Sequence, residues 1–288
     1  MAAPVYKQYD QEHLDAQYNL RARHPDFQDF FDAYERESER VRGALDCRLD
    51  VAYGDTPLQA LDVFPARAPG APVQVFIHGG YWQFLDKRHF RYPAQPIVEA
   101  GAAFVTVNYD LAPAVTLDQI VAQCRQALAW CHANAASFNG DPERIFLSGH
   151  SAGGHLTLML AITDWAAQGA LPAHVIKGAC AISGLFDLEP VRLCYLNAML
   201  GLDTEGARRN SPLFHLGKRG PPLIAAVGAA ETEEFRRQNG MLCTAWRARG
   251  LHCDELKLPD RHHFDIVQEL ARADSPLTHA ILAQMGLA

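Results

Sequence analysis

Gly149-His150-Ser151-Ala152-Gly153 stands between the apolar run Arg144-Ile145-Phe146-Leu147-Ser148 and a helix-forming stretch that begins Gly154-His155-Leu156-Thr157-Leu158. A serine flanked in this way sits on a strand-to-helix turn so tight that its Oγ is pushed into a cleft, and glycines let the neighbouring backbone pack that closely. G-x-S-x-G alone arises by chance in many chains. A strand before it and a helix after it give the pattern its content. Ser151 is therefore the candidate nucleophile, and the chain must supply a sheet whose strand ends feed directly into helices.

The rest of the sequence supplies that sheet. From Pro72 onward, short apolar runs alternate with helical stretches: Val73 to Ile77, Ala103 to Val107, Ile145 to Leu147, Val175 to Ile182, Leu223 to Val227 and Cys253 to Leu258 read as buried parallel strands. Helices are expected around Leu117 to Ala136, His155 to Gln168, Glu231 to Arg249 and Phe264 to Ala273. The alternation predicts an α/β chain with a doubly wound, mostly parallel sheet and right-handed crossovers. Upstream, Leu45 to Tyr53 and Gln59 to Phe64 alternate in the strand manner around Gly54-Asp55-Thr56-Pro57, which predicts an antiparallel hairpin at the sheet edge. Leu14, Tyr18, Phe27, Phe30, Phe31 and Tyr34 fall at helical spacing, interrupted at Pro25, and predict two helices within the first 45 residues. Residues 185–218 break the alternation and are the natural place for a small helical cap over the site, although a packed surface excursion is equally compatible with their composition. At 288 residues and 49% hydrophobic, the chain is read as one large domain.

Charge and cysteine usage narrow the partners. A net charge of -7 with interspersed signs offers no basic face to nucleic acid or anionic lipid. The first residues turn polar at once, without an apolar h-region, and no stretch approaches the length of a membrane span, which predicts a cytoplasmic protein. Seven cysteines without a C-x-x-C pair read as reduced core thiols.

Ser151 needs a base, a group to orient that base, and donors for an oxyanion. The last strand ends at Leu256-Lys257-Leu258, and the loop Pro259-Asp260-Arg261 leads to His262-His263-Phe264, so one of these adjacent histidines is the base. For the acid, the strand Leu223 to Val227 runs out through Gly228 into Ala229-Ala230-Glu231-Thr232-Glu233-Glu234. Glu231 is favoured, with Glu233 and Glu234 as local alternatives that would also suit a helix N-terminus. Oxyanion donors are expected from the amide of Ala152 and from His78-Gly79-Gly80-Tyr81-Trp82, with Gly80 or Tyr81 as the second donor. Tyr81, Trp82, Phe84 and Tyr109 could wall a substrate pocket, although large aromatics beside a loop pack in cores about as often.

These residues resemble the arylformamidase (kynurenine formamidase) branch of the α/β-hydrolases, which is related to hormone-sensitive-lipase-like esterases. His78-Gly79-Gly80-Tyr81-Trp82-Gln83 is similar to that branch's oxyanion segment, where the wider esterase group usually has a third glycine in place of Tyr81. Asn108-Tyr109-Asp110-Leu111-Ala112-Pro113, the elbow itself, Gly184-Leu185-Phe186-Asp187-Leu188-Glu189-Pro190, Asn210-Ser211-Pro212 and His263-Phe264-Asp265-Ile266 continue the likeness. The resemblance implies an α/β-hydrolase fold and a triad on Ser151, Glu231 and His263, the last being its reason for preferring His263 to His262. Glutamate at the acid position departs from the aspartate common in that branch.

The same resemblance implies a serine hydrolase that cleaves a small acyl group from an aryl amide or ester. N-formylkynurenine is its leading substrate, no metal or organic cofactor is involved, and a homodimer is compatible with the reading. A broad short-chain or aryl carboxylesterase would carry the same motifs. A catalytically silent binding protein on the same fold is a third alternative, against which an apparently complete triad argues.

Overall fold

The computed structural model describes residues 3–169 and 171–288. Eight strands form one sheet in the order β1-β2-β4-β3-β5-β6-β7-β8: β1 Arg48–Ala52, β2 Ala60–Phe64, β3 Ala71–Ile77, β4 Ala103–Val107, β5 Gly140–His150, β6 Ile176–Ile182, β7 Leu223–Gly228 and β8 Cys253–Leu258. β1 pairs antiparallel with β2, and β2 antiparallel with β4, so the expected hairpin lies at one edge. Every other pairing is parallel. In the centre, Val75 faces Val105 on one side and Leu147 on the other, and β3 is buried along its whole length. Helices on both faces bury such a strand completely, which is why its sequence is apolar but for Gln74, which donates to the Ser148 hydroxyl, rather than alternating. β8 departs from that expectation. It forms the far edge, with Asp254 and Lys257 exposed, and its buried residues are its two ends.

The helices follow the alternation with local corrections. α1 (Gln11–Tyr18), α2 (Leu20–Arg23) and α3 (Phe27–Ala44) precede the hairpin. α4 (Ala94–Glu99), a helix not expected from periodicity, lies between β3 and β4. α5 (Leu117–Asn134) opens on a capping box, Thr116 with Gln119, and packs with α6 (Ala152–Ala161) against β5. α6 is shorter than the expected 155–168 stretch and every residue in it is buried, as a helix enclosed between sheet and neighbours must be. Residues 185–218 hold the short helices α7 (Glu189–Leu193), α8 (Asn197–Leu200) and α9 (Thr204–Arg209). α10 (Glu233–Arg247) follows β7. The stretch read as a helix over 264–273 contains instead a 3-10 helix, Ile266–Ala271, and the final α-helix is α11 (Pro276–Gln284), started by Ser275, which accepts from the Thr278 amide.

The amino-terminal helices are packed onto the carboxyl ends of the strands. Phe27, Phe30 and Phe31 surround the ring of Phe264, the Tyr34 hydroxyl donates to the Phe264 carbonyl, and the Thr232 hydroxyl donates to the Gln17 carbonyl at 2.9 Å. Below them, the loop after β3 is pinned by a buried charge cluster. Asp62 on β2 is wholly buried and receives Lys87 at 2.9 Å and Arg91 at 2.7 Å. Removing one of the cations would leave that carboxylate uncompensated, at a cost of about 3 to 5 kcal/mol. Among the described residues, no helix is long and apolar enough to cross a membrane.

Candidate active site

β5 ends at His150, and Ser151 turns the chain into α6 with φ 58° and ψ -120°, a backbone conformation that L residues avoid. Such a residue costs of order 1 to 3 kcal/mol. The wholly buried α6 beyond it and the 2.8 Å bond from the Ser151 amide to the Ile182 carbonyl of β6 hold it there. Gly153 allows the turn because a Cβ at that position would fall 2.0 Å from the Ile77 carbonyl oxygen of β3. The expected elbow is thus formed by contact of α6 with the neighbouring strand ends, and it leaves Ser151 lining a cleft.

Of the paired histidines, His263 is the one brought to the serine. Its Nε2 lies 2.9 Å from Ser151 Oγ and its Nδ1 lies 2.8 Å from Glu231 Oε2. His262 points elsewhere: it stacks on His24 at 4.2 Å and its Nε2 lies 3.6 Å from Asp265. The imidazole of His263 is wedged between Phe235 and His150, with ring centroids 4.5 and 4.7 Å away.

The acid alternatives separate equally clearly. Glu233 is exposed and accepts from the Tyr9 hydroxyl, while Glu234 pairs with Arg237. Glu231 is buried, and its second oxygen accepts from the Ser183 hydroxyl at 2.5 Å and from the Gly228 amide at 2.8 Å. These donors fix the longer glutamate side chain, so its additional methylene costs little in positioning. Gly228 has a second duty. The Ala230 amide donates to the Arg261 carbonyl at 2.9 Å, and a Cβ on Gly228 would sit 2.1 Å from that same oxygen. Loss of that hydrogen would push the acid loop away from the histidine loop.

The loop after β3 presents backbone donors. Gly80, Tyr81 and Trp82 all take positive φ, at 107°, 48° and 59°. Among the described residues, the amides of Gly80 and Tyr81 have no backbone acceptor, and Ala152 begins α6, where the first amides have no partner within the helix. Gly79 lies against the elbow: a Cβ there would fall 3.0 Å from that of Ser151. His78 holds the loop from behind through its Nε2, 2.9 Å from Asn108 Oδ1. Burial keeps it neutral, its pKa lowered to about 4. His150 beside the site is likewise held well below the usual histidine range by burial and by its neighbour His263.

The cleft over Ser151 is a cavity of about 240 Å³. Of the aromatics read as wall residues, Tyr81 and Phe84 line it, whereas Trp82 and Tyr109 do not. Trp82 is fully buried in a T-shaped contact with His155, 5.0 Å away, and Tyr109 stacks flat on His78 at 4.3 Å with its hydroxyl donating to the His78 carbonyl. Trp82 is turned from the cleft within the positive-φ run, and Tyr109, in the segment after β4, backs the loop through His78. The Tyr81 hydroxyl reaches the Tyr18 carbonyl at 2.8 Å and ties this loop to α1.

Sequence reasoning missed the roof. Asn19, Leu20 and Arg21 around α2, Phe31 and Tyr34 on α3, and Tyr195 and Leu196 between α7 and α8 complete the cavity. It also missed Ser183, whose φ of 50° at the end of β6 aims its hydroxyl at Glu231. The advance signs of the roof were the segment 185–218, which holds Tyr195 and Leu196, and aromatic spacing in the first 45 residues, which shows that a face is buried but not what it buries.

With the geometry in place, comparison with known proteins identifies the group. The BD-FAE family matches residues 61–232, which include Ser151 and Glu231. A kynurenine formamidase of Salmo salar is 34% identical over 262 residues, covering 88% of this chain and 87% of that protein. The solved structure of a Silicibacter sp. TM1040 protein superposes with a TM-score of 0.82 at 30% identity, covering 93% of this chain and 98% of the other. An esterase of Pyrobaculum calidifontis shares the fold alone, with a TM-score of 0.72 at 17% identity over 100% of this chain and 99% of its own. The chain belongs to the BD-FAE family and is an arylformamidase-like α/β-hydrolase.

Proposed function

We propose that this hydrolase deformylates an aryl formamide, N-formylkynurenine being the leading substrate, through an acyl-serine on Ser151. The observation that carries the reading is the unbroken relay Ser151 Oγ, His263 and Glu231 under a small cavity with aromatic walls. His263 takes the proton of Ser151 as Oγ attacks the formyl carbon, and Glu231 stabilises the imidazolium that forms. The oxyanion is received by the amides of Ala152 and of Gly80 or Tyr81, each donor of this kind lowering the barrier by about 3 to 4 kcal/mol. His263 then returns its proton to the anilide nitrogen, and a water activated by the same imidazole releases formate. Triad and donors are all protein groups, and the reaction needs no cofactor. The relatives named kynurenine formamidase support the choice of acyl group and leaving group, and the tight cavity supports a short acyl chain.

The test is kcat/KM for N-formyl-L-kynurenine beside p-nitrophenyl acetate and butyrate, with Ser151→Ala as control. A formylkynurenine value of about 10⁴ M⁻¹s⁻¹ or more, exceeding the esters, is expected. Good ester turnover with negligible deformylation would assign the same triad to a short-chain or aryl carboxylesterase, which the small cavity also admits. Full turnover by Ser151→Ala would remove the mechanism altogether.

A further inference from the structure

Arg21 is the one side chain of fixed charge in the cavity wall, among the described residues. No Asp, Glu or Lys accompanies it there. Its guanidinium lies 4.1 Å from the centre of the Phe84 ring and 5.1 Å from that of Phe27. Arg21 is exposed and makes no ion pair with a described residue. Its seat over Phe84 holds the planar group at the cleft while leaving its N–H groups without a partner among the described residues, the arrangement in which an arginine takes a carboxylate through two parallel hydrogen bonds. The setting is notable in an acidic chain of net charge -7, because the fixed charge in this cavity wall is positive.

We infer that Arg21 is a specificity-determining residue that anchors a carboxylate on the substrate, so that the enzyme selects aryl amides or esters that bear a carboxylate over those that lack one. The inference rests on the proposed hydrolysis at Ser151. It assigns the other end of the substrate: the acyl carbon lies at Ser151, and an acidic substituent reaches α2. A cationic substituent gains nothing in the same wall, which contains no carboxylate to meet it.

Matched substrate pairs test this. N-formyl-L-kynurenine is compared with N-formylkynuramine, which lacks only the carboxylate, and 4-acetoxybenzoate with its methyl ester, using the wild type, Arg21→Gln and Arg21→Lys. The ratio of kcat/KM for the carboxylate-bearing over the carboxylate-free member is expected to fall about 10- to 100-fold in Arg21→Gln, mostly through KM, because a charge-assisted pair is lost. Arg21→Lys should recover part of the ratio, since charge remains but the fork does not. Equal loss on both members of a pair would make Arg21 a structural residue, and an unchanged ratio would remove its contact with substrate; either overturns the inference. The ester pair keeps the two readings apart. Failure to cleave either formamide, with an Arg21-dependent preference among the esters, overturns the formamidase reading and leaves the anion site standing.

Discussion

The floor and the roof of the cavity are built on different principles. The floor is backbone: a strained serine between β5 and α6, a loop of positive-φ residues after β3, and an acid loop touching a histidine loop through Gly228. The roof is side chains from α2, α3 and the segment between α7 and α8, brought together from positions 19 to 196. Backbone geometry at strand ends admits few residue types, so the chemistry is held rigidly. A wall of side chains admits many, so selectivity can be changed without disturbing the reacting groups.

Substitutions in the two regions should therefore fail in different ways. The largest effect is expected from Ser151→Ala or His263→Ala, each lowering kcat by roughly 10⁴- to 10⁶-fold while thermal unfolding stays close to that of the wild type. Simultaneous loss of Tm would show that the floor serves the fold as much as the reaction. Glu231→Gln should come next, at about 10³- to 10⁴-fold in kcat, since a neutral amide cannot stabilise the imidazolium. Ser183→Ala, which takes one donor from Glu231, should cost about tenfold and sharpen the distinction between orienting the base and charging it.

The roof should show the reverse pattern. Tyr34→Phe removes the hydroxyl that reaches the Phe264 carbonyl, and stability should fall by about 1 to 3 kcal/mol in urea unfolding, with kcat for p-nitrophenyl acetate within a factor of a few. A loss in kcat far larger than the loss in stability would join roof and floor into one unit.

The smallest effect concerns pH. His78 and His155 are both fully buried and held neutral, with pKa values lowered to about 4. Below their ordinary value of 6.5 the unfolded chain takes up protons that the folded chain refuses. Stability is thus full above that value and falls as pH drops toward 4. His155→Gln, which retains a donor for the Asn210 carbonyl 2.7 Å away, should make the decline of Tm over this window shallower. An unchanged slope would place the titration elsewhere.

The same division explains how much the sequence disclosed. The elbow was legible because Gly149, Ser151 and Gly153 sit at fixed offsets between a strand and a helix, and the parallel strands because burial on both faces leaves β3 and β4 apolar apart from Gln74 and Thr106. The choices between His262 and His263, and among Glu231, Glu233 and Glu234, were not decided by composition. They depend on which side chain the loop turns inward. Trp82 and Tyr109 were read as wall residues, yet Trp82 is turned inward by the positive-φ run and Tyr109, after β4, supports the loop through its bond to the His78 carbonyl. Arg21 carried no local signal at all: on a short polar helix it reads as a solvated charge, and its place in the cleft follows only from how α2 docks.

The bond from Tyr34 to the Phe264 carbonyl joins positions 230 apart in the chain. During synthesis the elbow is complete once the first 161 residues and the strand at 176–182 have emerged, but the first helices have no final seat until Phe264 has followed. Until then those aromatic faces wait uncovered. A nascent chain halted before His263 would carry the nucleophile with neither its base nor the seat of the first helices, so the reactive centre is completed long after its serine is made.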